Sequence, residues 1–99
     1  MKLKTKNYDV ADYLDSDHMI AVYLDAAFES GDTSRIAEAL GDVARAHGMS
    51  KIATATGLAR EQLYKTLSAD GKPKLSTVLK VLKAFGGGLK PSFPSEHPL

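Results

Sequence analysis

The 99-residue chain contains no cysteine. That absence excludes disulfides, thiolate nucleophiles, iron–sulfur clusters and cysteine-based zinc sites, so stability must come from packing, and it suits a reducing cytoplasm. Long apolar runs are missing too: nowhere do hydrophobic residues follow one another for the roughly 20 positions a membrane-crossing helix needs. The basic opening Met1-Lys2-Leu3-Lys4-Thr5-Lys6 imitates a secretory signal, but Asn7-Tyr8-Asp9-Val10-Ala11-Asp12 follows where an apolar stretch is required, and no signal peptide is expected. No segment alternates apolar and polar residues over a strand's length, and there is neither an internal repeat nor a heptad array. What is present, 43% hydrophobic and 25% charged residues, is the profile of a soluble globular domain. A chain this short buries about two-thirds of the surface its unfolded form exposes, enough for one core and not for two.

The net charge of +1 conceals a division. Between Asn7 and Gly48, nine acids (Asp9, Asp12, Asp15, Asp17, Asp25, Glu29, Asp32, Glu38, Asp42) stand against Arg35 and Arg45, a balance of −7. Between Met49 and Phe85, seven bases (Lys51, Arg60, Lys65, Lys72, Lys74, Lys80, Lys83) stand against Glu61 and Asp70, a balance of +5. Such asymmetry predicts two faces with two kinds of partner, a polyanion for one and a basic protein for the other, although the same charges also serve plain solubility.

Apolar spacing is helical nearly throughout. A short helix is expected at about Val10 to Leu14. Ile20, Tyr23, Leu24, Ala27 and Phe28 then fall on one stripe, with Asp15 or Ser16 as the cap and Gly31 as the stop. Ile36, Ala37, Leu40, Val43 and Ala44 repeat the pattern behind Asp32 or Thr33, and His47-Gly48 closes it. Ser50 offers an N-cap oxygen to a two-turn helix over Lys51 to Thr56, Gly57 stops it, and a second short helix runs from Arg60 to Leu67. Ser68 to Lys74 is dense in turn formers; Ser76 then caps a last helix carrying Val78, Leu79, Leu82 and Phe85 on one side, and Gly86-Gly87-Gly88 ends it. Leu89 to Leu99 holds Pro91, Pro94 and Pro98, so it reads as an extended tail, open to a short β pairing after Gly88.

The stretch Met49 to Leu67 reads as a helix-turn-helix. Ala53 is small where the second helix crosses the first, Gly57 supplies positive φ at a tight turn, and Ile52, Leu58, Leu63 and Leu67 point inward. The outer face of the second helix displays Arg60, Glu61, Tyr64 and Lys65, with Gln62 on its flank, a mix of donors and acceptors suited to a DNA major groove. In that reading Arg60 addresses guanine and Gln62 adenine, while Ser50, Lys51, Lys65, Lys72 and Lys74 hold phosphate. Tyr64 suits either role. Glu61 accepts from cytosine N4 or orients Arg60; the sequence leaves both open. Glycine-turned helix pairs also occur in small domains that touch no DNA, but here the basic excess begins where the pair begins.

Several blocks resemble a known family. Tyr23-Leu24-Asp25-Ala26-Ala27 with Gly31-Asp32, Ala39 through Ser50, Thr56 through Ser68 and Pro73 through Leu82 are similar to the XRE (lambda repressor-like) helix-turn-helix antitoxins, the HigA-like probable addiction-module antidote proteins. The resemblance covers Tyr23 to Leu89. It implies a DNA-binding antitoxin that represses its own operon as a homodimer and neutralises a RelE/HigB-like ribonuclease toxin encoded beside it. One departure is Ala59, where the family usually has serine just before the recognition helix. Alanine cannot cap, although Gln62 at the third helical position is placed to reach back to a backbone N–H.

The expectation is therefore an all-α, compact five- to six-helix bundle with a lambda repressor-like helix-turn-helix at 50–67. Residues 1–7 form a flexible N-terminal segment, 8–88 one helical DNA-binding domain, and 89–99 the tail. No enzyme is expected: there is no Gly-x-Ser-x-Gly nucleophile motif, Gly86-Gly87-Gly88 has the wrong spacing for a phosphate loop, and the carboxylates belong on solvated helix faces. No cofactor and no metal are expected either, since His18, His47 and His97 lie in separate segments and only His18 has carboxylates nearby. A two-fold dimer would set half-sites about 34 Å apart on its operator, and the apolar stripe Leu75, Val78, Leu79, Leu82 and Phe85 serves either as dimer seam or as core. The toxin contact is expected from Tyr8 to Glu29 or from the tail. The competing readings are a stand-alone XRE-type repressor and a helical protein-interaction domain without a DNA role.

Overall fold

The computed structural model describes residues 9–93, and all regular structure in them is helical. The expected first helix is a 3-10 turn, Val10–Tyr13, whose N-cap Asp9 accepts a hydrogen bond from the Ala11 N–H at 3.1 Å. Helix α1, Asp17–Ser30, starts where the Ser16 hydroxyl accepts from the Met19 N–H, and it ends at Gly31, in the left-handed conformation with φ 70°. Helix α2, Thr33–His47, is capped by Asp32, whose carboxylate accepts from the Ser34 and Arg35 N–H groups. Helix α3, Met49–Thr56, is followed by α4, Arg60–Thr66, and by α5, Leu75–Ala84.

Two expected caps are not formed. Gly48 occupies the position before α3, so Ser50 lies inside the helix rather than ahead of it. Lys74 occupies the position before α5, and Ser76 is likewise internal. Both helices start earlier than their serines suggest, because Met49 is buried and Val78 must reach the core one turn after Lys74. The reciprocal bond expected from Gln62 to the start of α4 is also absent among the described residues, so α4 begins at Ala59 with no side-chain cap. No strand forms in 88–93, so the β pairing open to the tail does not occur there. The rest of the tail and the segment 1–7 lie outside the described residues.

Helix α2 is the axis of the bundle. It buries every position from Ala37 to Ala44 except Glu38 and packs against α1, the 3-10 turn, α3 and α4. The core joins Leu40 and Ala44 to Met49, Ile52, Leu63, Leu67, Val78, Val81 and Leu82. The last helix keeps Val78 and Leu82 buried and Phe85 half-buried as its expected stripe requires, but Val81 is fully buried in place of Leu79, which stands exposed with Leu75. One close approach fixes the bundle's geometry. A Cβ on Gly41 would lie 2.2 Å from the Leu67 carbonyl oxygen, so α2 and the end of α4 meet at a distance only glycine permits.

The acidic half does not keep all its carboxylates in solvent. Asp42 is buried and accepts a hydrogen bond from the Tyr23 hydroxyl, while Arg45 donates to it at 2.9 Å and to Asp9 at 2.6 Å. This chain of contacts ties α1 and the 3-10 turn to α2. The hydrogen bond from Arg45 holds the Asp9 carboxyl below its ordinary value. Burial, helped by Asp42, pushes the Tyr23 phenol up to about 12.

Candidate nucleic-acid interface

Helices α3 and α4 are short, and neither length would hold alone in water. Their order comes from packing. Ile52 on α3 and Leu63 on α4 are almost completely buried, Leu67 closes the end of α4, and Ala53 and Leu58 pack against the same core. Between the helices Gly57 takes φ 75°, as the tight turn requires. Thr56 adds a connection the sequence reading did not anticipate. Its buried hydroxyl donates to the Ile52 carbonyl at 2.8 Å and accepts from the Leu58 N–H at 3.3 Å, bridging the last turn of α3 to the chain beyond the glycine.

With Leu63 turned inward, the opposite side of α4 carries Arg60, Glu61, Gln62, Tyr64 and Lys65, all exposed. Arg60, Glu61 and Tyr64 line a shallow concavity, and the Arg60 guanidinium lies 5.7 Å from the centre of the Tyr64 ring. That cation–π contact joins residues one turn apart and restricts the arginine without consuming its donors. The partner of Arg60 on the helix is thus Tyr64; no ion pair joins it to Glu61 among the described residues.

The remaining cations stand on neighbouring elements. Ser50 and Lys51 are exposed in the first turn of α3, which has no side-chain cap. Lys72 and Lys74 are exposed in the connection between α4 and α5. This connection is held tightly: the Ser68 hydroxyl donates to the Lys65 carbonyl at 2.7 Å, Gly71 passes against the Thr66 carbonyl where no Cβ fits, and Lys72 takes a left-handed φ of 48°. The contacts described bring Arg60 and Tyr64 together; Ser50, Lys51, Lys72 and Lys74 remain separate points of donor and charge on adjoining elements.

Two features escaped sequence reading although a signal was present for each. An isolated glycine inside a helical pattern, as at Gly41, costs about 1 kcal/mol relative to alanine and usually has a packing reason. The Asp42 and Arg45 spacing of three residues on α2 is that of a helix-surface ion pair. A third feature had no such signal: His47 stacks on Phe85 with ring centres 5.1 Å apart, and its Nε2 is buried without a hydrogen-bond partner.

These elements define an all-helical protein in which a core-anchored pair of short helices presents a polar, arginine-bearing face. The chain belongs to the family of probable addiction module antidote proteins, whose model matches residues 4–92. An uncharacterized protein of Haemophilus influenzae is 45% identical over 85 residues, which span 86% of this chain and 88% of that protein. No solved structure gives a significant match. The family implies a toxin as partner. Among the described residues no helix is long and apolar enough to cross a membrane, and no group of acidic or histidine side chains has the arrangement of a metal site.

Proposed function

We propose that this protein is an XRE-type, HigA-like antitoxin that binds its own operator as a homodimer through α4 and neutralises a RelE/HigB-like ribonuclease encoded beside it. The observation that carries the DNA side of this reading is the orientation of α4. Its apolar residues are consumed by the core, which leaves Arg60, Glu61, Gln62, Tyr64 and Lys65 with no structural task that burial can explain. Arg60 and Gln62 are the candidates for base edges, guanine and adenine respectively, and Tyr64 serves base or phosphate. Ser50 and Lys51, at the uncapped start of α3, and Lys65, Lys72 and Lys74 hold the phosphate backbone. The protein acts as domain 8–88 in the cytoplasm, needs no cofactor, and catalyses no reaction.

The antidote role rests on the family, and the two activities are separable. In a strain whose growth is arrested by the adjacent toxin, expression of the wild-type chain restores growth and silences a reporter driven by its own upstream region. The Arg60→Ala variant should restore growth equally well while the reporter is released. Growth rescue without any repression by the wild type would make the chain an antitoxin with no DNA role. Repression without rescue would make it a stand-alone repressor.

A further inference from the structure

Helix α1 contains no lysine or arginine, and two of its three carboxylates sit where the helix itself disfavours them. Asp25 and Glu29 are like charges one turn apart, and Glu29 lies in the last turn, where the backbone dipole favours cations and no basic residue is present. Asp17 continues this row at a spacing of eight residues. None of the three makes an ion pair among the described residues. The two local rules broken together at Asp25 and Glu29 mark positions kept for a purpose other than folding.

The same side of α1 borders an open groove of about 910 Å³ between α1 and the chain that follows α5. Its floor is apolar. Ile20, Leu24 and Phe28 come from α1, and Leu82 and Phe85 from the end of α5. Four of these five are only half buried, so apolar surface stays in water along the groove. On the rim Asp17, Asp25 and Glu29 face a single cation, Lys90. The far wall, Gly86 to Ser92, is exposed chain without helix or strand, and beyond Gly87 its backbone N–H groups make no hydrogen bond among the described residues.

We infer that this groove is the docking site for a basic amphipathic segment of the partner protein, its apolar side chains on the Phe28 and Phe85 floor and its lysines or arginines against the α1 carboxylates. An apolar floor with a rim of one sign selects for such a segment: burial supplies affinity, and charge supplies orientation and rejects acidic competitors. The inference rests on the antitoxin reading, in that the partner is the toxin, but it places the contact on a surface separate from α4.

The test uses the full chain and the purified product of the adjacent toxin gene. Ala21, exposed and small on the groove wall, is changed in Ala21→Arg; Asp25→Lys with Glu29→Lys reverses the rim. Val22→Arg, on the exposed side of α1 outside the groove, is the control. Melting curves and operator binding establish that each variant is folded. The expected result is that both groove variants lose at least tenfold in toxin affinity while Val22→Arg and Arg60→Ala retain it. Wild-type affinity in both groove variants, or an equal loss in Val22→Arg, overturns the groove and leaves the antitoxin reading standing. Failure of the wild-type chain itself to bind the toxin overturns both.

Discussion

Gly41 shows how much a single hydrogen atom in place of a side chain decides. The Leu67 carbonyl occupies the space a Cβ would take, so Gly41→Ala must push α4 away from α2 even though alanine is the better helix former. Overpacking of this kind costs about 1–3 kcal/mol, and thermal unfolding should show the loss despite the favourable propensity. An unchanged or raised melting temperature would mean that the two helices are not in the described contact. Tyr23 supplies a second residue-scale case, this one with a pH signature. Because its folded-state value is raised from 10.0 to about 12, its contribution is complete below pH 10 and disappears as pH climbs from 10 towards 12. Tyr23→Phe should cost about 1 kcal/mol at neutral pH through the lost hydrogen bond to Asp42. It should also flatten the fall in stability between those two pH values, as urea unfolding across the range will reveal.

Among the elements, α4 is one of three helices, with α3 and α5, whose start carries no side-chain cap. Ala59 has the extended backbone of a cap residue, φ −68° and ψ 142°, but no side-chain acceptor for the first-turn N–H groups. Ala59→Ser should therefore stabilise the protein by about 0.5–1 kcal/mol, worth a rise of a few degrees in melting temperature for a chain of this size. A fall on the same substitution would show that those N–H groups are not free to be capped. The helices themselves were legible in the sequence because their stripes and their glycine stops agree: Gly31, Gly48 and Gly57 each have positive φ at the end of the helix they were expected to close. Helix starts were less legible. Serine at Ser50 and Ser76 advertises a cap from its side chain alone, whereas the true boundary is set by the burial of Met49 and Val78, which only the assembled core determines. The same cause misled the reading of α5, where Leu79 and Val81 are equally apolar and tertiary packing chose Val81. The inward residues of α3 and α4 were readable from period and turn. The Arg60 contact with Tyr64 was not, since one-turn spacing permits several pairings, and neither was the burial of Asp42.

At the scale of the whole molecule, the division of charge along the chain becomes a division of surfaces. The basic segment contains the α3 and α4 pair and the connection after it, and the acidic segment contributes α1 and its carboxylates to the groove whose other wall comes from the end of α5 and the chain beyond. Under the proposed function this division keeps the two fields apart, so that each surface would attract its own ligand and repel the other's. The account stands or falls on the face of α4. The measurement that tests it most directly is fluorescence anisotropy of the purified protein on DNA from its own upstream region and on a scrambled duplex, at two salt concentrations, with Arg60→Ala and Lys65→Ala alongside the wild type. The account predicts at least a hundredfold preference for the native fragment and a steep loss of affinity with salt. It also predicts a cost of about 1–3 kcal/mol for Arg60→Ala on the native fragment alone, and an even loss on both duplexes for Lys65→Ala. Weak binding, equal on the two duplexes and indifferent to both substitutions, would contradict it.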